Sequence, residues 1–270
     1  MQLQFLDPYR PANSTLHQMD ARVKFIFAIA FILTTSLTPV GAWPVYVILF
    51  AIVFSFILVS ELGVVFVLLR ALLALPFVLA ALPIIFTTPG APLFSFPLGP
   101  WVMTASLYGI ERFISIGLKS WLSVQAAILL ASSTPFPGLL QAMRAVGIPR
   151  LLVAMFGLMW RYLFVLVDEA MRLLRARSSR SGAREIKSMS RPVGGTLAWR
   201  ARVAGGMAGN LFLRGIERSD RIYVAMLSRG YNGEVRSMPQ PPLSVGSWFL
   251  LGLSVSVLLI ILSVGLLFWG

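Results

Sequence analysis

Two arginines stand between small residues at the ends of basic helical stretches: Arg177 in Ala176-Arg177-Ser178 and Arg229 in Ser228-Arg229-Gly230. A guanidinium is planar, always charged, and carries its N–H donors in a rigid fork. At a helix end, between small neighbours, that fork is free to meet a carboxylate of another protein through paired hydrogen bonds. A basic helix end also complements the negative end of the helix dipole. The same pattern suits a solvated basic loop, or a segment that touches anionic lipid, and the residues alone leave these readings open. Other chemistry has little to build on. The chain has no cysteine, which excludes disulfides, thiolate catalysis and cysteine-held metals. It has one histidine, His17, so a transition-metal site lacks ligands, and neither a metal nor a cofactor is expected. The only lysines are Lys24, Lys119 and Lys187, and none follows a glycine, so there is no Walker A loop. Ser-x-x-Lys and Gly-x-Ser-x-Gly are also missing, and no catalytic residue is assigned.

The elements that must carry these arginines follow from composition. The chain has 270 residues, which suggests one or two domains. Hydrophobic residues make up 57% and charged residues 12%, against ~25% charged in soluble proteins. Residues 25–60, 71–110 and 237–270 carry no charge, and each stretch exceeds the ~20 apolar residues that cross a bilayer as a helix. The expected fold is an all-α integral membrane protein. Its spans are read at residues 25–38, 43–61, 64–86, 108–133 and 245–269. Pro76 and Pro83 are expected to kink the third. Residues 87–107 are read as an outer loop, and residues 1–22 as a polar tail. A sixth crossing arises if that loop dips in or if residues 151–166 cross.

The formal net charge of +13 is concentrated. Residues 136–236 hold 17 Lys+Arg and 6 Asp+Glu, a net of +11, and the other residues hold 6 and 4, a net of +2. By the positive-inside rule this block is cytoplasmic, and Arg22 and Lys24 before the first span put the N-terminus inside as well. The chain therefore divides into transmembrane spans with a cytoplasmic N-terminus (1–133), a cytoplasmic or interfacial helical block (134–236) and a C-terminal transmembrane helix (237–270). Within the block a short helix is expected over 138–146, then a long one from Pro149 towards Ser181. Residues 182–209 read as flexible or loosely helical, with a hinge at Gly205-Gly206-Met207-Ala208-Gly209. A last helix runs over 210–229, with Glu217 paired to Arg221 and Gly230 as its stop. Glu61, Arg70, Glu111, Arg112 and Lys119 lie near spans and read as structural pairing or snorkelling rather than a substrate path.

Five patches resemble the transmembrane T component of energy-coupling factor (ECF) transporters, most nearly its CbiQ-type cobalt branch. They are Leu16-His17-Gln18-Met19-Asp20-Ala21-Arg22-Val23-Lys24; Ser133-Thr134-Pro135 with Gly147-Ile148-Pro149; Trp160-Arg161-Tyr162; Arg175-Ala176-Arg177-Ser178; and the run from Glu217 to Tyr231. Ser178 and Ser228 stand where the family often shows Gly and Ala. The resemblance implies a five- or six-helix bundle in a bacterial or archaeal cell membrane. It implies a non-enzymatic subunit that joins two ABC-type ATPase subunits to a substrate-binding membrane subunit. The ATPases would dock on Ala176, Arg177 and Ser178 and on Ser228, Arg229 and Gly230. Cobalt is the substrate this implies for the complex, as in cobalamin biosynthesis. The lipid bilayer is a partner and nucleic acid is not. The alternatives are a T component serving vitamins or nickel, an integral membrane enzyme, and a basic lipid-binding scaffold. The enzyme would need a polar cluster at one membrane depth, and only Glu111, Arg112 and Lys119 come near that.

Overall fold

In the computed structural model, residues 8–98, 101–180, 196–232 and 242–269 are described. The chain forms two compact units. The first comprises Met1–Gly147 and Gln240–Gly270, and the second Ile148–Pro239. Helices α1 (Thr15–Gln18), α2 (Ala21–Leu37), α3 (Trp43–Val59), α4 (Val64–Ala71), α5 (Leu75–Ala80), α6 (Ile84–Thr87), α7 (Leu107–Ser133) and α8 (Phe136–Ala145) belong to the first unit. Helices α9 (Arg150–Arg180) and α10 (Leu197–Leu227) make the second, and α11 (Val245–Trp269) returns to the first.

This is an all-α integral membrane protein with one small hairpin. Among the described residues, four helical segments are long and apolar enough to cross a membrane: Val64–Thr87, Leu107–Ser133, Arg150–Arg180 and Val245–Trp269. Helix α3 is a shorter apolar helix. The expected kinks are present. A 3-10 turn, Leu72–Ala74, separates α4 from α5, Pro76 sits in the first turn of α5, and Pro83 caps α6. Proline lacks the N–H that a continuous helix needs, so each break falls where a donor is missing.

Residues 87–107 are not a plain loop. Strands β1 (Pro92–Leu98) and β2 (Trp101–Ser106) pair antiparallel, with Leu98 opposite Trp101 and Pro92 opposite Ser106. The prolines mask an aromatic and β-branched pattern interrupted by only two residues, Gly99 and Pro100, which is a hairpin spacing.

Residues 8–22 are not a tail either. The Ser14 side chain caps α1, and Leu16 is buried. The Arg10 N–H donates to the Ser132 carbonyl at 3.0 Å, which ties this segment to the end of α7. His17 is spent on the same fold: its Nδ1 lies 2.6 Å from Ser14 Oγ and its Nε2 3.0 Å from the Arg10 carbonyl. The Arg10 carbonyl can only accept, so Nε2 donates to it.

The core of the first unit lies where α2, α3, α7 and α11 meet. Val45, Leu49, Val53 and Ile57 recur every four residues along α3 and pack with Phe31, Leu122, Leu129, Leu258 and Ile261. That spacing puts one face of a helix inward. The opposite faces expose Leu33, Val47, Leu58, Leu253 and Ile260, as lipid-facing helices do. Helix α7 packs against α2, α3, α4, α5 and α6. Its Lys119 ammonium donates to the Ser36 carbonyl at 3.1 Å, and the buried Lys24 of α2 donates to the Ser133 carbonyl at 3.0 Å. Lys119 is thus a structural pairing group.

The glycines of the second unit correct one expectation. Gly205, Gly206 and Gly209 lie inside α10, which begins at Leu197, and residues 197–209 are helical rather than a hinge. The rest of the segment read as flexible, 181–195, lies outside the described residues. An added Cβ at Gly206 meets nothing within 4 Å, whereas at Gly109 it falls 2.7 Å from the Ile85 carbonyl oxygen. Gly206→Ala is therefore expected to raise thermal stability by ~0.5–1 kcal/mol, through helix propensity. Gly109→Ala is expected to lower it by ~1–3 kcal/mol, through overpacking. Melting of the two purified variants checks both signs.

Candidate coupling site

Each arginine motif ends a helix of 31 residues, about 46 Å long at 1.5 Å per residue. Helix α9 starts directly after Pro149, whose carbonyl accepts from Leu152 and Val153. Residues 151–167 are apolar apart from Arg161, and the charged half follows. Near its end the Ser178 hydroxyl donates to the Arg175 carbonyl at 2.7 Å, and the Ser179 hydroxyl to the Ala176 carbonyl at 2.9 Å. Helix α10 begins at a Thr196 cap that accepts from the Trp199 N–H at 3.3 Å. At its other end the Gly230 N–H donates to Leu227 and the Tyr231 N–H reaches back to Met226. Gly230 has φ 78°, the left-handed conformation expected of a residue that stops a helix.

The two helices run antiparallel. Leu166 lies beside Gly215, Glu169 beside Arg214 and Arg218, and Arg177 beside Trp199. Glu169 accepts from Arg214 Nη1 at 3.0 Å and from Arg218 Nη2 at 3.2 Å. Sequence reasoning missed this carboxylate, because its partners are 45 and 49 residues away. Their i,i+4 spacing was the available signal, since it lets two arginines share one acid. The Glu217–Arg221 pair expected on α10 does not form: Arg221 Nε donates instead to the Glu217 backbone carbonyl, at 3.2 Å.

The motifs are kept apart. Arg177 is half-buried, with its guanidinium carbon 6.0 Å from the centre of the Trp199 ring. Ala176 and Ser178 beside it are exposed, as are Ser228, Arg229 and Gly230. Trp199 lies near the start of α10 and Arg229 two residues beyond its end at Leu227, so about 45 Å separates the motifs along its axis. No cluster of three or more metal-ligating side chains occurs among the described residues.

An antiparallel pair of long helices carrying two separated arginines makes up one unit, and apolar helices long enough to cross a membrane belong to the other, which is the make-up of a membrane component. Over residues 12–241 the chain matches the family described as "CbiQ: Cobalt transport protein", and it belongs to that family. It is 26% identical to the energy-coupling factor transporter transmembrane protein EcfT of Listeria innocua, over 100% of this chain and 98% of that protein. To the cobalt transport protein CbiQ of Salmonella typhimurium it is 31% identical, over 41% of this chain and 52% of that protein. An uncharacterised protein of Methanocaldococcus jannaschii is 23% identical, over 97% of this chain and 88% of its own length.

Glu169 lies beyond the apolar half of α9. The hydrogen bond from Arg214 holds its carboxyl below the ordinary range, aided by the charges of Arg218, Arg214 and Arg172 and opposed by desolvation. A carboxyl shifted down stabilises the pair above its unfolded pKa, and that contribution is lost as pH falls through the folded value. Spin labels on cysteines placed at Ser179 and Ala201 should therefore report one narrow distance at neutral pH. Broadening is expected only below the usual glutamate range. Glu169→Gln should be broad at every pH, and a narrow distribution in that variant would mean the carboxylate does not hold the helices together.

Proposed function

We propose that this chain is the T component of an ECF importer for cobalt ion, which transmits the movements of two ABC-type ATPases to a substrate-binding membrane subunit. The observation that carries the reading is the separation of Arg177 and Arg229 along one stiff helix pair. A gap of about 45 Å is too wide for one small acidic pocket and fits two docking points on two subunits. Each guanidinium would meet acidic residues in an ATPase groove. The chain itself would hydrolyse no ATP through a Walker A loop, because it has no Gly-Lys. Its own residues transmit rather than react. Closure of the ATPases would move both arginine-bearing ends, and the exposed Leu151, Met155 and Met159 of α9 would pass that movement to the substrate subunit.

The cobalt assignment rests on the family and on relatives named for cobalt transport in Salmonella typhimurium and Rhodobacter capsulatus. The full-length match to the Listeria protein favours a second reading, a T component serving another substrate. The substrate subunit that co-purifies decides between them.

The N-terminus and residues 134–236 are assigned to the cytoplasm and the protein to the plasma membrane. Helix α9 is long enough to span, but its second half carries Asp168, Glu169, Arg172, Arg175, Arg177 and Arg180, which are costly in lipid. The chain has no cysteine, so single cysteines at Ser188 and Ser228 test this directly. Neither should react with an impermeant thiol reagent applied to intact cells, and labelling from outside would reverse the topology.

The arginines give the sharper test. A hydrogen bond to a charged group contributes ~1.5–3 kcal/mol, and removing one partner strands the other's charge. Arg177→Ala with Arg229→Ala should sharply reduce uptake and ATPase co-purification while leaving membrane insertion normal. Arg→Lys at both sites should rescue only in part, since an ammonium does not reproduce the fork. Arg184→Ala with Arg191→Ala removes the same charge outside the described residues and should be mild. Equal damage from the two double variants would point to bulk charge and against specific docking.

A further inference from the structure

Phe66, in the first turn of α4, carries two cations. The guanidinium carbon of Arg10 lies 3.6 Å from the ring centre and that of Arg70 4.3 Å, so the two are at most about 8 Å apart, the sum of those distances. Among the described residues neither forms an ion pair. Glu61, at the turn between α3 and α4, is exposed and pairs with neither. Two like charges gathered on one ring repel, and the ring's π-face offsets that only weakly. The arrangement has the form of an anion site waiting for its counter-charge.

The site is also built in advance. The Arg10 backbone is held on both sides, its N–H by the Ser132 carbonyl at 3.0 Å and its carbonyl by His17 Nε2 at 3.0 Å. Arg70 follows Phe66 by one turn of α4, and helical side chains lean back towards the N-terminus, which brings it over the ring. Beside this pair on the same apolar segment, Val65, Leu69 and Leu73 are 70%, 62% and 67% exposed and recur every four residues. A basic headgroup contact thus adjoins a lipid-facing stripe, at the end of a segment long enough to cross a membrane. A guanidinium fork matches phosphate oxygens.

We propose that Arg10 and Arg70, displayed on Phe66, bind the headgroup phosphate of an anionic phospholipid whose acyl chain lies along Val65, Leu69 and Leu73. The bound lipid fastens the N-terminal segment to α4. This site is independent of the arginines on α9 and α10.

The test uses the full-length protein, delipidated in detergent and back-titrated while its melting is followed. Short-chain phosphatidylglycerol should stabilise it at lower concentration than short-chain phosphatidylcholine, and inorganic phosphate should do nothing. Arg10→Gln and Arg70→Gln should each raise the phosphatidylglycerol concentration needed by roughly tenfold. Arg112→Gln, which removes an exposed charge from α7, should leave it unchanged. If the double variant does not fold, Phe66→Leu keeps both charges, removes their platform, and should still weaken the preference. Equal response of the wild-type protein to the two lipids overturns the proposal, as does a preference that survives in the Arg10→Gln/Arg70→Gln variant. Stabilisation by inorganic phosphate alone overturns the assignment to lipid.

Discussion

A lysine ammonium inside an apolar helical unit has to find oxygen, and the two lysines of the first unit find it at the ends of each other's helices. Lys24, near the start of α2, donates to the last turn of α7; Lys119 of α7 donates to the last turn of α2. The last carbonyls of a helix have no intrahelical donor, and away from water each unsatisfied group costs several kcal/mol. A lysine there satisfies an orphan carbonyl and places a positive charge at the negative end of the dipole. The arrangement is reciprocal, so it holds only if the helices run antiparallel in this register. These two contacts bridge 109 and 83 residues. They specify one pairing among apolar helices whose outer surfaces are otherwise interchangeable, because lipid supplies no hydrophobic drive for helices to associate.

The remaining polar groups of the first unit follow the same economy. Thr34, Thr35 and Thr38 turn their hydroxyls back onto carbonyls of their own helix, at 2.8 Å each. The Ser106 hydroxyl accepts from Gly109 and donates to the Thr88 carbonyl, which joins the end of α6 to the start of α7. The second unit is held by different means. Its helices expose much of their surface, and a shared carboxylate, Glu169, joins α9 to α10. Exposed ion pairs contribute little singly. One acid between two arginines fixes direction and register more than it fixes stability.

Much of this architecture was legible in the sequence because its causes are local. Charge-free runs, the prolines at positions 76 and 83, the glycine after Arg229 and the clustering of arginines each act within a few residues. What escaped depends on partners far along the chain. The N-terminal segment reads as a tail until Ser132 offers a carbonyl to Arg10. The strands at 92–98 and 101–106 hide behind prolines that usually argue against a sheet. Helix α10 extends through three glycines whose propensity argues against it. Arg177 and Arg229 stand out in the sequence by their small neighbours and helix-end positions, but nothing local revealed that Trp199 stands beside one of them.

That last difference separates the two motifs. Arg229 lies beyond the end of α10, exposed, with the left-handed Gly230 turning the chain away. Arg177 lies within the last turn of α9, half-buried, its guanidinium near an aromatic face supplied by the other helix. A carboxylate approaching Arg229 meets a long side chain that must be ordered on contact, at an entropic cost. One approaching Arg177 meets a side chain already limited by its neighbour, and less ordering is then required. A ring beneath a guanidinium leaves its in-plane N–H donors free to bind an acid. Two motifs of the same kind therefore present different surfaces: one half-buried near an aromatic ring of the neighbouring helix, the other exposed beyond the end of its own.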